Sequence, residues 1–451
     1  MSPIDLPNMG ACVDDARRAL LDQASGPAEP TNYVKLIERL AQARSKLPRL
    51  YRRTMLRPFV AELDDLGASE FRAVLRSDPE REGEASLLLD IAQALLQNAE
   101  GYEKVATAAF QEVVADLYDG FLSAEDRAEV KPPDHGVVAP LVKWGSPESG
   151  PYTWPVDATG EYGAQAGVVS LPPSHAHAGL VGWSALGHET AGHDILHADD
   201  GLLLELRKKV RDALESAGLP DGLPSYWSNR IDETASDVLG ILNMGPAAGA
   251  GVIAYFRGFS ASKRLGTAGV SGDEHPADVL RGWLASETVR LLSFKDREAW
   301  ADALRDQTDA DAGARPIRLA GAEVPKAVAM RSAVVVARTA VQEPLQSLEG
   351  HALGQIQDWR DRDERIVAEL RRCLRSDAQA KQYERVKGHY AAHAVAAAVY
   401  EALRVAGADP SQIFGRMLVI LAKMHNANPA WGPSFLARVL GVRRHVVHRL
   451  R

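Results

Sequence analysis

The stretch HETAGHDILH, residues 188 to 197, brings three histidines and a glutamate together, all of them metal-ligating side chains. Two ligand sets can be drawn from it. On a regular α-helix each residue advances about 100°, so Glu189, His193 and His197, spaced by four, fan across one face. His188 and His193 are five apart, about 140° round the same helix, and converge only if one extra residue is taken up in a wide π-type turn. Gly192, just before the second histidine, eases that distortion. The ordinary alternative is that helix histidines cap, pair or pack in a core.

Forty residues on, NRIDETASDVLG carries Glu233 and Asp237 four apart, on a segment whose Ile231, Val238, Leu239, Ile241 and Leu242 predict a largely buried helix. Unpaired charge in a core costs several kcal/mol, so two carboxylates on a buried face call for positive partners. A metal would supply that charge. Two histidines and one carboxylate, with a fourth position open, form a hydrolytic zinc arrangement.

The elements that must position these groups read as mainly α with a small β element, an α+β chain. Residues 11 to about 125 are helical, with VKLIERLAQARSKL and ASLLLDIAQALLQNA repeating apolar residues every three or four positions. Residues 131 to 173 are rich in Pro, Gly and Trp and predict loops and short strands, AGVVSLPP most clearly. Helical patterns return from Gly179 to about Arg305, and DQTDADAGARPIRLAGAEVP then reads as a linker or surface excursion. Beyond Pro325, AVAMRSAVVVARTAVQ, RDERIVAELRRCLRS and HYAAHAVAAAVYEALRVAG are helical again. The division is 1–125, helical; 126–325, holding the motifs; and 326–451, helical.

Composition narrows the classes. A 451-residue chain, 46% hydrophobic and 25% charged, is an ordinary globular composition. A net charge of −8 argues against a general nucleic-acid or anionic-membrane binder. The one basic concentration, VRRHVVHRLR at the end, reads as a solvated terminal helix. Two cysteines, Cys12 and Cys373, make no disulfide framework and fit a reducing, cytoplasmic setting, and the N-terminus has no signal pattern. The uncharged run from Val238 to Phe256 contains Asn243, Pro246 and four glycines, which predicts a buried helix and a turn rather than a membrane span. Arginine outnumbers lysine and alanine is abundant, a bias associated with GC-rich bacterial genomes.

HETAGH followed by DETASD resembles the gluzincin metallopeptidases, specifically the HExxGH variant of the dipeptidyl peptidase III family, over about fifty residues. DETASDVLG is also similar to the second-motif helix of thermolysin-like enzymes. The resemblance implies a zinc metallopeptidase centre within 126–325, with His188, His193 and Glu233 as Zn2+ ligands. It implies Glu189 as general base and Asp237 as the group orienting a ligand histidine. It also favours the bulged ligand set, because that set leaves Glu189 free to take a proton. The family's substrate-binding lobe has no match here, so dipeptidyl specificity is not implied.

Such chemistry needs an oxyanion stabiliser. His275 in GDEHPADVLR, with Arg281 following, resembles the His-Pro segment and later Arg of some membrane-associated gluzincins, against a plain reading as a helix-start histidine. Tyr255 and Arg257 in AYFRG compete for the role, as do His389, Tyr390 and His393 in GHYAAH. His389 and His393 are spaced for a second metal, although the alanine-rich helix they begin favours packing. His175 and His177 in SHAHAG fit a cleft lining, and AGVVSLPP is placed to be the sheet edge along which a peptide or protein substrate adds as a strand. The competing reading is a metal-stabilised interaction module that keeps the site and hydrolyses nothing.

Overall fold

The computed structural model describes residues 3–78, 83–122, 130–135, 138–386 and 388–432. The terminal VRRHVVHRLR lies outside them. The described chain is mainly helical with two three-stranded sheets, as the periodicities predict. The run around Gly245 is two helices, Ile231–Met244 and Pro246–Phe259. Gly245 joins them at φ 61°, a left-handed backbone glycine accepts without strain, and Pro246 starts the second helix. No described helix is long and apolar enough to cross a membrane.

The first sheet contains β1 (Leu141–Trp144), β2 (Tyr152–Trp154) and β3 (Val168–Leu171), in the order β1-β3-β2. β3 pairs parallel with β1 and antiparallel with β2. The AGVVSLPP strand is therefore central, not the edge its sequence position suggested. It is buried on both faces, which fits its largely apolar run. Alternate residues enter two separate cores: Leu141 and Val168 join a smaller cluster with Leu36, Tyr51, Phe59 and Leu88. Val142, Trp144, Val169 and Leu171 join a larger one that runs from Leu6 to Met424.

The two real edges differ. Amide side chains close β1: Gln97 bonds both the N–H and the carbonyl of Trp144, Asn98 donates to the Val142 carbonyl, and Gln111 donates to that of Pro140. An edge satisfied in this way cannot recruit another strand. β2 has no such plug among the described residues.

The expected linker is ordered. Trp300, Leu304, Thr308 and Ala312 recur every four residues on the buried side of helix Arg297–Ala312, so it runs well past Arg305. β5 (Ile317–Leu319) and β6 (Ala322–Val324) then form a hairpin, with β5 parallel to β4 (Ala268–Gly269).

The segment Gly187–Asp194 is a π-helix, so the wide turn on which convergence of His188 and His193 depends is present. It lies against helix Ile231–Met244 through its smallest residues. A Cβ on Gly187 would stand 3.1 Å from the Gly240 Cα, and one on Gly192 would strike the Ser236 Cβ at 2.3 Å. Gly192 thus serves close approach between helices as well as ease of bending.

His175 is sealed in the core, its Nε2 without a hydrogen-bond partner among the described residues, while His177 faces solvent beside Glu103. Burial pushes His175 down to about 4. The unfolded chain therefore binds a proton that the native state refuses, and stability falls as pH drops from about 6.5 towards 4. The full shift is worth roughly 3 kcal/mol. Denaturant unfolding followed from pH 7 to pH 4.5 should show a shallower loss in His175→Gln than in wild type; equal slopes would refute the assignment.

Candidate metal centre

Two helices build the site. The π segment brings His188 and His193 to the same side, and the facing helix Ile231–Met244 begins with Asp232 and Glu233 in its first turn, where the helix dipole favours acidic groups. Nε2 of His188 and Nε2 of His193 are 3.1 Å apart, with the rings nearly perpendicular at 83°. Glu233 straddles the pair, Oε2 lying 3.3 Å from His188 Nε2 and Oε1 3.4 Å from His193 Nε2. Glu233 Oε2 is buried and makes no hydrogen bond among the described residues.

Each imidazole is held from behind. His188 Nδ1 lies 2.9 Å from Asp237 Oδ1, and His193 Nδ1 lies 2.9 Å from Asp232 Oδ1. A carboxylate at Nδ1 fixes the proton there, so both Nε2 lone pairs point at one another and at Glu233. Such a cluster needs positive charge at its centre. Protons can supply it: burial opposes the charged form of His188, but Glu233 and Asp237 outweigh burial and raise the group to about 9. His193 is raised in the same direction against the same opposition, and Glu233 is held well below the ordinary carboxylate range. A divalent cation also fits. Ligand atoms about 2.0–2.1 Å from a tetrahedral zinc are separated by about 3.3 Å, close to the three contacts found here. His188, His193 and Glu233 are the one group of this kind among the described residues.

Glu189 stands outside that group, so of the two ligand sets the bulged one converges. Its carboxylate is held from β2, where the Thr153 hydroxyl lies 2.9 Å from Oε2 and 3.1 Å from the Glu189 carbonyl oxygen. Asp237 is fully buried and clamped by Arg281, whose Nε and Nη2 each donate to it at 2.7 Å. Burial would raise Asp237, but Arg281 and then His188 reverse that and keep it ionised. Arg281 in turn packs its guanidinium 4.5 Å above the Phe256 ring.

His275 reaches the same cluster from the solvent side, Nε2 being 3.4 Å from Glu233 Oε1 and Nδ1 2.9 Å from Asp273 Oδ1. Buried Arg230 pins its loop by donating to the carbonyls of His275 and Val270. The Tyr255 hydroxyl is buried without a hydrogen-bond partner among the described residues, and burial followed by Glu189 pushes it far up. Arg257 is engaged elsewhere, with Asp311 and Gln307. His393 bonds Asp363 and His389 faces Glu369, so GHYAAH is a packed helix start that joins no metal-type group among the described residues. Asp232, Thr153 and Arg230 were not singled out from sequence. Asp232 alone left a signal there, as the acid directly before Glu233.

Replacing Arg281 by Met would leave Asp237 buried with no guanidinium beside it, a loss of about 3–5 kcal/mol for a broken buried pair. Urea unfolding of chelator-treated protein should show it, and adding Asp237→Asn should recover much of the loss. A change below about 1 kcal/mol would mean the clamp contributes little.

No family model, curated protein or solved structure matches this chain, so its own side chains carry the functional reading.

Proposed function

We propose that the chain is a zinc-dependent metallopeptidase, a hydrolase of peptide bonds with Glu189 as its general base. This reading rests on one convergence: the π turn gathers His188, His193 and Glu233 while leaving Glu189 out of the ligand group. A purely structural site has no need of a free carboxylate beside it. Held by the three ligands, zinc would supply Lewis acidity and bring the pKa of a water towards about 7.

The remaining roles belong to the protein. Glu189 takes the proton of the attacking water and passes it to the leaving amine. Thr153 restrains the carboxylate that must make this transfer. Asp237 and Asp232 hold the two imidazoles in the tautomer that presents Nε2. His275, whose Nε2 lies 3.4 Å from Glu233 Oε1 on its exposed side, would serve as the donor to a developing oxyanion. The open edge of β2 offers a peptide backbone hydrogen bonds without regard to its side chains.

Purified protein should contain about one zinc per chain, bound by three protein ligands. His188→Ala and Glu233→Ala should each strip it, read by elemental analysis after dialysis. Metal lost from His197→Ala but kept in His188→Ala would reverse the ligand set.

Glu189→Gln keeps shape and removes the base. Zinc content and melting temperature should stay at wild-type values, while hydrolysis of a broad peptide library falls by about 10²- to 10⁴-fold. A zinc-loaded wild type as inert as the variant would instead support a metal-stabilised interaction module.

A further inference from the structure

The segment from Thr153 to Asp157 runs along the π segment and the turn that follows it, touching them at three levels. Thr153 bonds Glu189, the Val156 N–H donates to Asp194 Oδ1 at 3.0 Å, and Asp157 Oδ2 lies 3.1 Å from Nδ1 of His197. From His197 the path turns inward. Nε2 lies 3.6 Å from Asp232 Oδ2, and the other oxygen of Asp232 is the partner of His193. We propose that Asp157 and His197, acting through Asp232, are positioning residues for the ligand His193. The proposal rests on the metal reading above.

Three observations support it. Asp232 is more than a third exposed, and its carboxylate is turned inward onto two histidines, His193 and His197. His197 is engaged at both ring nitrogens by acids from different elements, which fixes its plane. Bonding to Asp157 and then to Asp232 pushes His197 up to about 10, so it offers a full positive charge to both. The gripping segment is itself anchored on its far side. The Tyr152 hydroxyl and Trp154 Nε1 donate to Asp90 Oδ2 at 2.7 and 2.8 Å, and Asp90 is ion-paired with buried Lys143. One short stretch thus holds the general base by one residue and, through a chain of side chains, a metal ligand by another.

The test is zinc affinity, measured by competition with a chromophoric chelator. Asp232→Asn should weaken binding about 10- to 100-fold, as loss of a ligand's orienting carboxylate does, and His197→Gln and Asp157→Asn by roughly 3- to 10-fold. Because His197 acts through Asp232, the double variant His197→Gln/Asp232→Asn should bind within about twofold of Asp232→Asn alone. Cobalt-loaded His197→Gln should also show shifted visible bands, which a loss of stability alone would not produce. Asp157 is half exposed, so its substitution leaves the fold intact and keeps the series interpretable. Wild-type zinc binding with unchanged affinity in His197→Gln and Asp157→Asn would overturn the proposal and leave the metal reading standing. Penalties that multiply in the double variant would overturn it too. A wild type that takes up no zinc would remove both.

Discussion

Two imidazole nitrogens 3.1 Å apart, both facing one carboxylate, form the interaction on which the rest of the centre depends. With protons held at the far nitrogens by Asp232 and Asp237, the near lone pairs repel unless positive charge lies between them. The surroundings are strongly acidic: Glu189, Asp232, Glu233 and Asp237 crowd the site, and Arg281 offsets only one of them closely. Without metal, the neighbouring carboxylates outweigh burial and raise both histidines, so bound protons can satisfy the cluster. A divalent ion replaces those protons, so metal uptake on this reading competes with acid and releases protons.

The convergence has a backbone cost that packing offsets. A π-helix closes its hydrogen bonds one residue wider than an α-helix and persists only where its surroundings over-determine it. Here helix Ile231–Met244 provides that constraint. Glycine meets glycine at Gly187 and Gly240, and Gly192 meets Ser236 with no room for a methyl group. The facing helix cannot approach this closely with larger residues, and without the approach Glu233 would not reach both imidazoles. Ligand geometry and interhelical packing are therefore one feature. Arg281 belongs to the same constraint: it clamps Asp237, which holds His188, and its Nη2 lies 3.4 Å from His188 Nδ1 and its Nη1 3.9 Å from Glu233 Oε2.

The parts of this arrangement legible in the sequence were those written as local periods. Helix positions followed from apolar spacing, and the five-residue histidine step showed that a π turn was the condition for the bulged ligand set, which the family resemblance favoured over the regular one. The parts that were not legible depend on pairing between distant segments. AGVVSLPP reads as a strand because it is apolar, but whether it is central or an edge is decided by Leu141–Trp144 and Tyr152–Trp154, which carry little strand signal. The polar stretch after Arg305 resembles a linker until its four-residue burial pattern and the pairing of β5 with β4 are seen. Thr153 and Asp157 sit in a Pro- and Gly-rich region where no period marks a function. Only the fold shows that they face the π segment.

The position of Thr153 links the proposed chemistry to substrate. It lies in β2, the strand whose outer edge is free of the amide plugs that close β1, and its hydroxyl is bonded to Glu189. A peptide added along that edge would lie against the strand that restrains the base. A shift in β2 would reach Glu189 through the Thr153 hydroxyl, which contacts both its carboxylate and its carbonyl oxygen. On the same segment, Val156 and Asp157 hold Asp194 and His197, so the shift would reach the π turn at several points together. Backbone recognition and placement of the base then share one mechanical element. That fits an enzyme better than a scaffold, because a site that only stabilises a fold gains nothing from tying the free carboxylate to an open strand edge.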